Sequence, residues 1–164
     1  ALYDSMTVRE NLEFPLIRHF NFTQKEREEK VKAVLENVSL EEAINKMPSE
    51  LSGGMKKRIG LARSIIAEPK LMLYDEPTTG LDPITAKEIS SLILELQKSL
   101  KMTSIVVTHD LLCAEIIADR AIVLNEGVVQ HVGTITELTT SRDPFLRNFF
   151  SHEIIEEQNR SKNV

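Results

Sequence analysis

The apolar positions of this chain change their period partway along it. Val31, Val34, Leu35 and Val38 recur at steps of three and four, the spacing of one buried stripe on a helix. Thr23-Gln24-Lys25-Glu26 ahead of them has the Thr-x-x-Glu form of a capping box, and the charge run Lys25–Lys32 reads as the solvated face. Thr7-Val8-Arg9-Glu10 repeats that form before a short helix, which Pro15 is expected to close. Leu40–Lys46 reads as another short helix, ended near Pro48. Ser52 is expected to cap a helix with Met55, Ile59, Ala62 and Ile66 on one face, stopping before Pro69.

Beyond Pro69 the pattern shortens. Leu71–Tyr74 and Ser104–Thr108 are brief apolar runs that read as buried strands. Between them lies a helix over Ile84–Leu100, with Ile89, Leu92, Leu96 and Leu100 inward, and Leu111–Ala118 predicts one more. Ala121–Asn125 and Val128–Val132 predict a hairpin around Glu126-Gly127. Thr134-Ile135-Thr136-Glu137 can cap a short helix, Asp143–Phe150 reads as helical, and a polar tail follows Ser151. Alternating strand and helix implies parallel strands with crossover helices. No internal repeat or low-complexity tract is present.

Composition narrows the classes. The chain has 164 residues, the size of one domain, and 41% are hydrophobic, enough for a packed core. Its net charge of −5 argues against a nucleic-acid partner, whose binders carry a basic face. The one cysteine, Cys113, excludes an internal disulfide and fits a reducing cytosol. Its apolar neighbours predict a small buried side chain rather than a nucleophile. With one cysteine, and with His19, His131 and His152 at no metal-ligand spacing, a zinc site is not expected. No apolar run approaches the roughly 20 residues of a membrane helix, and no signal peptide is visible. The chain opens at Ala1 in a semi-apolar segment, which reads as the inside of a longer protein.

Three segments carry candidate chemistry. Ser52, Gly53 and Gly54 open a helix, where outward N–H groups and the helix dipole suit phosphate oxygens and glycine lets the backbone come close. Taken alone, the same segment is an ordinary serine cap. Asp75 and Glu76 follow an apolar strand, at the end where open α/β sheets place their sites. One carboxylate can hold Mg²⁺ and the next can orient an attacking water; a solvated strand-to-loop junction is the plainer reading. His109 follows Ile105-Val106-Val107-Thr108, where an imidazole can reach a terminal phosphate or cap the helix that starts near Asp110.

Together these segments resemble the second half of an ATP-binding cassette (ABC) ATPase. Ser52, Asp75, Glu76, Asp82 and His109 occur in that family's order, with Asp75 23 positions after Ser52 and His109 34 positions after Asp75. The resemblance covers the chain to about Phe150. It implies an α/β fold: a partial P-loop NTPase core with parallel strands plus an N-terminal α-helical subdomain. Residues 1–67 would be the helical subdomain ending in the signature helix. Residues 68–140 would be the RecA-like part of the catalytic core, and residues 141–164 a C-terminal helix and polar tail. By motif, Ser52, Gly53 and Gly54 would contact ATP across a dimer of nucleotide-binding domains. Asp75 would be the Mg²⁺-associated Walker B aspartate, Glu76 the general base, Asp82 the D-loop residue at the interface and His109 the switch histidine.

More narrowly, the chain is similar to the ATPase subunits of Mce/Mla-type lipid transporters. The cues are Ala1-Leu2-Tyr3-Asp4-Ser5-Met6-Thr7-Val8, Asn11–Leu16, Met55 where many relatives carry Gln, and Asp143-Pro144-Phe145-Leu146-Arg147. One departure stands out. The phosphate loop is Gly-x-x-x-x-Gly-Lys-Ser/Thr, and none of the six glycines precedes a lysine. The resemblance therefore implies a piece of a larger cassette domain, inactive by itself. Its strands would expose edges that invite pairing with another chain. The expected function is the energy-coupling ATPase subunit of a membrane transporter, peripheral on the cytoplasmic face. A second such domain and a transmembrane permease subunit would be its partners, with Tyr3–Thr7 as the coupling surface. The alternatives are a soluble ABC-type ATPase acting on DNA or ribosomes and a non-catalytic interaction fragment.

Overall fold

The computed structural model describes residues 2–151 and divides into two compact units, Ala1–Val107 and Thr108–Val164. Ala1, His152 and the polar tail lie outside the described residues.

The first unit opens with three helices, α1 (Val8–His19), α2 (Gln24–Asn37) and α3 (Gly53–Ile65). Both expected capping boxes form. The Thr7 and Thr23 hydroxyls accept from the Glu10 and Glu26 N–H groups, and each glutamate accepts from its threonine N–H at 2.7 Å. Those backbone bonds hold both carboxyls below the ordinary range. The stripe of Val31, Val34, Leu35 and Val38 is buried as its spacing predicts.

Two local expectations fail, for identifiable reasons. Pro15 does not close α1; the helix runs through it to His19. An interior proline costs about 3 kcal/mol, but Leu12 and Leu16 on either side are fully buried, each contributing about 1.5–3 kcal/mol. Leu40–Lys46 holds only a 3₁₀ turn, Glu41–Ala43. The carbonyls of Ile44 and Lys46 instead accept from the Arg9 and Val8 N–H groups, satisfying amides that the start of α1 leaves without intrahelical partners.

β1 (Leu71–Asp75), α4 (Pro83–Leu100) and β2 (Thr103–Val107) complete the unit as a parallel crossover. The register runs from Leu71 opposite Thr103 to Asp75 opposite Val107. The strands are not buried on both faces as expected. Successive side chains point to opposite sides; Met72 and Tyr74 are buried, whereas Leu73 is 68% exposed and Leu71, Ile105 and Val107 are also open. Leu100, expected inward, is 37% exposed because it is the last residue of α4, before Lys101 turns left-handed at φ 51.

The second unit holds α5 (Leu111–Ile117), β3 (Ala121–Asn125), β4 (Val128–Gly133), α6 (Ile135–Thr139) and a helical stretch over residues 144–151. β3 and β4 form the predicted hairpin, turning through Glu126 and Gly127 at φ 49 and 75, the left-handed pair that a two-residue turn requires. Val123, Leu138, Leu146 and Phe150 form its core, and Cys113 is buried.

Candidate functional site

In the first unit, two helix starts meet at one hollow. Ser52 caps α3: its hydroxyl oxygen accepts from the Met55 N–H at 3.2 Å. A hydroxyl that accepts there keeps its own proton, so Ser52 can still donate to a phosphate oxygen. The cap and the phosphate contact are therefore compatible rather than rival roles. Asp82 caps α4. Its Oδ1 accepts from the Thr85 N–H at 3.0 Å and its Oδ2 from the Thr85 hydroxyl at 2.6 Å. The hydroxyl bond, then the backbone bond, holds the Asp82 carboxyl below its usual range.

The hollow between these starts has a volume of about 390 Å³, and Ser52, Gly53, Gly54, Gly80 and Asp82 are among its lining residues. The two glycines differ. A Cβ on Gly54 would lie 3.0 Å from the Thr85 Cγ2, so its missing side chain is what lets α3 approach α4. A Cβ on Gly53 would meet nothing within 4 Å, leaving that backbone open to a ligand.

Asp75 ends β1 with its side chain exposed. Glu76 then turns left-handed at φ 48, unusual for a residue with a side chain. Its N–H donates to the Val107 carbonyl at 2.9 Å, carrying the parallel ladder one step past the strand. Its Oε2 accepts from the Thr79 hydroxyl at 3.1 Å. Non-glycine residues in this conformation cost on the order of 1–3 kcal/mol and persist where neighbours hold them, often at functional sites. Gly80, at φ 80, completes the path to Asp82.

No group of three or more His, Cys, Asp or Glu able to hold a metal exists among the described residues. Asp75 is a single exposed carboxylate at the end of β1; a cation of the Mg²⁺ kind takes one or two carboxylates plus substrate phosphates rather than an all-protein cage.

His109 belongs to the second unit, where it is exposed between the end of β2 and α5. The cap of α5 is Asp110, whose Oδ1 accepts from the Cys113 N–H at 3.0 Å. The structure thus brings Ser52, Gly53, Gly54 and Asp82 to one hollow and sets Asp75 and Glu76 at the strand end that leads to it.

Sequence reasoning missed Arg58, Thr85 and Glu88, which also line the hollow. Thr85 was findable as the third residue after a capping aspartate. Arg58 and Glu88 are far apart in sequence and carried no local signal.

Residues 1–79 match the ABC transporter family. The chain is 40% identical over 165 residues to Protein TRIGALACTOSYLDIACYLGLYCEROL 3, chloroplastic, of Arabidopsis thaliana, covering 91% of this chain and 48% of that one. It is 39% identical over 138 residues to the sn-glycerol-3-phosphate import ATP-binding protein UgpC of Rhizobium meliloti, covering 84% and 39%. The chain therefore spans about half, or less, of the length of the curated relatives it matches. Among solved structures, cbiO1 from Clostridium perfringens, part of the ABC transporter complex cbiONQ, aligns with a TM-score of 0.78 at 31% identity, over 96% of this chain and 58% of that one. A dimeric ATP-binding cassette in a post-hydrolysis state with ADP and Pi aligns at 0.70 and 33%, over 82% and 59%.

Proposed function

We propose, from the premise that this chain belongs with the ATP-binding domains of ABC transporters, that it forms part of the ATP-hydrolysing subunit of such a transporter. The observation that carries this reading is the shared hollow: Ser52, Gly53 and Gly54 on one helix start face Asp82 on another. In the working protein this surface closes on ATP held by a second nucleotide-binding domain. The Ser52 hydroxyl and the N–H groups that open α3 donate to the γ-phosphate oxygens, aided by the positive end of the helix. Asp82 lies at the interface between the two domains.

Asp75 would hold the Mg²⁺ that accompanies ATP, and that ion would neutralise phosphate charge when bound. Glu76 orients the attacking water and accepts its proton. The water oxygen bonds to the γ-phosphorus as the bond to the bridging oxygen breaks, giving ADP and phosphate. His109 is carried over by its place in the motif order, as the switch histidine of that family. In the native full-length protein, Glu76→Gln should slow hydrolysis by about 10²–10⁴-fold while ATP still binds. Turnover at the parental rate would remove Glu76 from the role of base.

The transported substrate in this reading is a lipid, in a system of the Mce/Mla type. The sequence cues around Tyr3–Val8 and Asp143–Arg147 support it, as does a relative whose printed name is that of a galactolipid. Relatives named for glycerol-3-phosphate and methionine import also match over 84% and 87% of the chain, which fits a cargo chosen by the membrane subunits rather than by this domain. No helix among the described residues is long and apolar enough to cross a membrane. In this reading the subunit docks from the cytoplasmic side onto a permease, through the helical part and the Tyr3–Thr7 segment. There Asn11, fully buried, accepts from the Tyr3 N–H and donates to the Tyr3, Met6 and Thr7 carbonyls, fixing the segment's shape.

These 164 residues contain no Gly-Lys pair, so they offer no phosphate-loop lysine. By themselves they neither bind ATP tightly nor hydrolyse it.

A further inference from the structure

Arg58 bonds to two other elements of the first unit. It lies on α3, six residues or about 1.7 turns in from Ser52. Its Nη1 donates to the carbonyl of Val38, the C-cap of α2, at 3.3 Å. Its Nη2 donates to Glu88 Oε2 on α4 at 3.1 Å. One guanidinium therefore links three helices. Its planar fork can serve both acceptors at once, which a lysine ammonium on a flexible stem does not reproduce.

Its position matters more than its strength. The Arg58 side chain is 26% exposed and that of Glu88 55%, and ion pairs this open add little stability. Yet Glu88 stands six residues into α4 from Asp82, as Arg58 stands six into α3 from Ser52. Nearer the mouth, Gly54 packs against Thr85 at the close approach already described. The two helix starts are thus related at two levels: an approach at the mouth that leaves no easy room for a Cβ on Gly54, and an ion pair below it. Both Arg58 and Glu88 also line the hollow itself.

We propose that Arg58 and Glu88 are positioning residues: together they set the orientation of the Ser52-Gly53-Gly54 helix start relative to the Asp82 start. The inference rests on the nucleotide reading of that hollow, since orientation matters only if something binds across it. Ser52 and Gly53 act on a phosphate held by another domain, so a misaligned helix start should impair turnover without loosening ATP capture.

The test is steady-state ATP hydrolysis by the native full-length protein carrying Arg58→Lys, Glu88→Gln, both together, or Ser52→Ala, with thermal unfolding measured alongside. The expected result is about a tenfold fall in kcat for each of the first two variants, with KM for ATP changed less than about twofold. The double variant should fall no further than either single one, because one link is being cut twice. Unfolding temperatures should stay close to the parent. Unchanged kcat in the Arg58 and Glu88 variants, beside a lowered kcat in Ser52→Ala, would overturn the positioning role and leave the nucleotide reading standing. Unchanged kcat in Ser52→Ala would overturn both. Multiplying losses in the double variant, or a fall that tracks lowered unfolding temperature, would show two separate structural roles and also overturn the proposal.

Discussion

The three helices α1–α3 and the strand pair β1–β2 come from the same unit and are built on opposite terms. Each helix brings its own caps and one apolar stripe, and packing the stripes together buries Val8, Leu12, Leu16, Val31 and Ile59 completely. The two strands satisfy one ladder and one face, and leave Leu71, Leu73, Ile105 and Val107 in solvent. A capped helix needs a neighbour only along one stripe, whereas a strand needs partners on both edges and cover on both faces. The candidate site residues follow the same division. Ser52 and Asp82 are fixed by local caps, while Glu76 is held by a backbone bond to the neighbouring strand.

The sharpest way to break this comparison is a pair of truncations read by urea unfolding. Leu16→Ala should destabilise the chain by about 2–5 kcal/mol, as large-to-small changes in a packed core do. Leu73→Thr, on the open face of β1, should change stability by no more than about 0.5 kcal/mol. Equal effects would mean that the helices and the strand pair are not differently packed.

The glycines at the hollow give a smaller contrast. Gly54→Ala forces a methyl against the Thr85 side chain and should cost about 1–3 kcal/mol. Gly53→Ala should be neutral or up to about 1 kcal/mol stabilising, since alanine favours a helix and nothing stands in its way. If both substitutions behaved alike, the close approach of α3 to α4 would not be what Gly54 serves.

Ser52→Asp separates the cap from the phosphate contact. Aspartate caps as well as serine, so stability should hold within about 0.5 kcal/mol. It offers no donor and adds a negative charge, so ATP turnover of the full-length protein should fall at least about tenfold. Unchanged turnover would leave Ser52 as a cap alone.

The smallest expected effect is with pH. Glu10, Glu26, Asp82 and Glu137 all sit at helix starts with their carboxyls below the ordinary range. A carboxyl lowered by folding contributes stability that is complete above its unfolded value and is lost as pH falls through its folded value. The unfolding temperature should therefore be level above about pH 5 and decline only on the acid side of pH 4. A decline that began near neutrality would point to a group outside these caps.

What could be read from the sequence follows from how local the cause is. The Thr-x-x-Glu boxes, the stripe on α2, the Ser52 cap and the Glu126-Gly127 turn depend on residues within a few positions, and each formed. Pro15 and Leu40–Lys46 were misjudged because distant contacts decided them: the buried leucines of α1 in one case, and the α1 amides in the other. The strands were placed correctly but their burial was not, because apolar runs look the same whether one face is covered or two. At the candidate site, Ser52, Asp75, Glu76 and Asp82 were visible as motif residues. The left-handed turn at Glu76 and the Arg58–Glu88 pair were not, since they arise only when β1 meets β2 and α3 meets α4.

The central claim is that these residues supply one side of a nucleotide clamp and need another domain to grip the triphosphate. Calorimetric titration of Mg–ATP into the 164-residue chain tests it most directly. The account predicts no saturable heat at micromolar to low-millimolar nucleotide, the range that spans ordinary enzyme substrate affinities of about 1 μM to 1 mM. Saturable, stoichiometric binding with a micromolar Kd would contradict it.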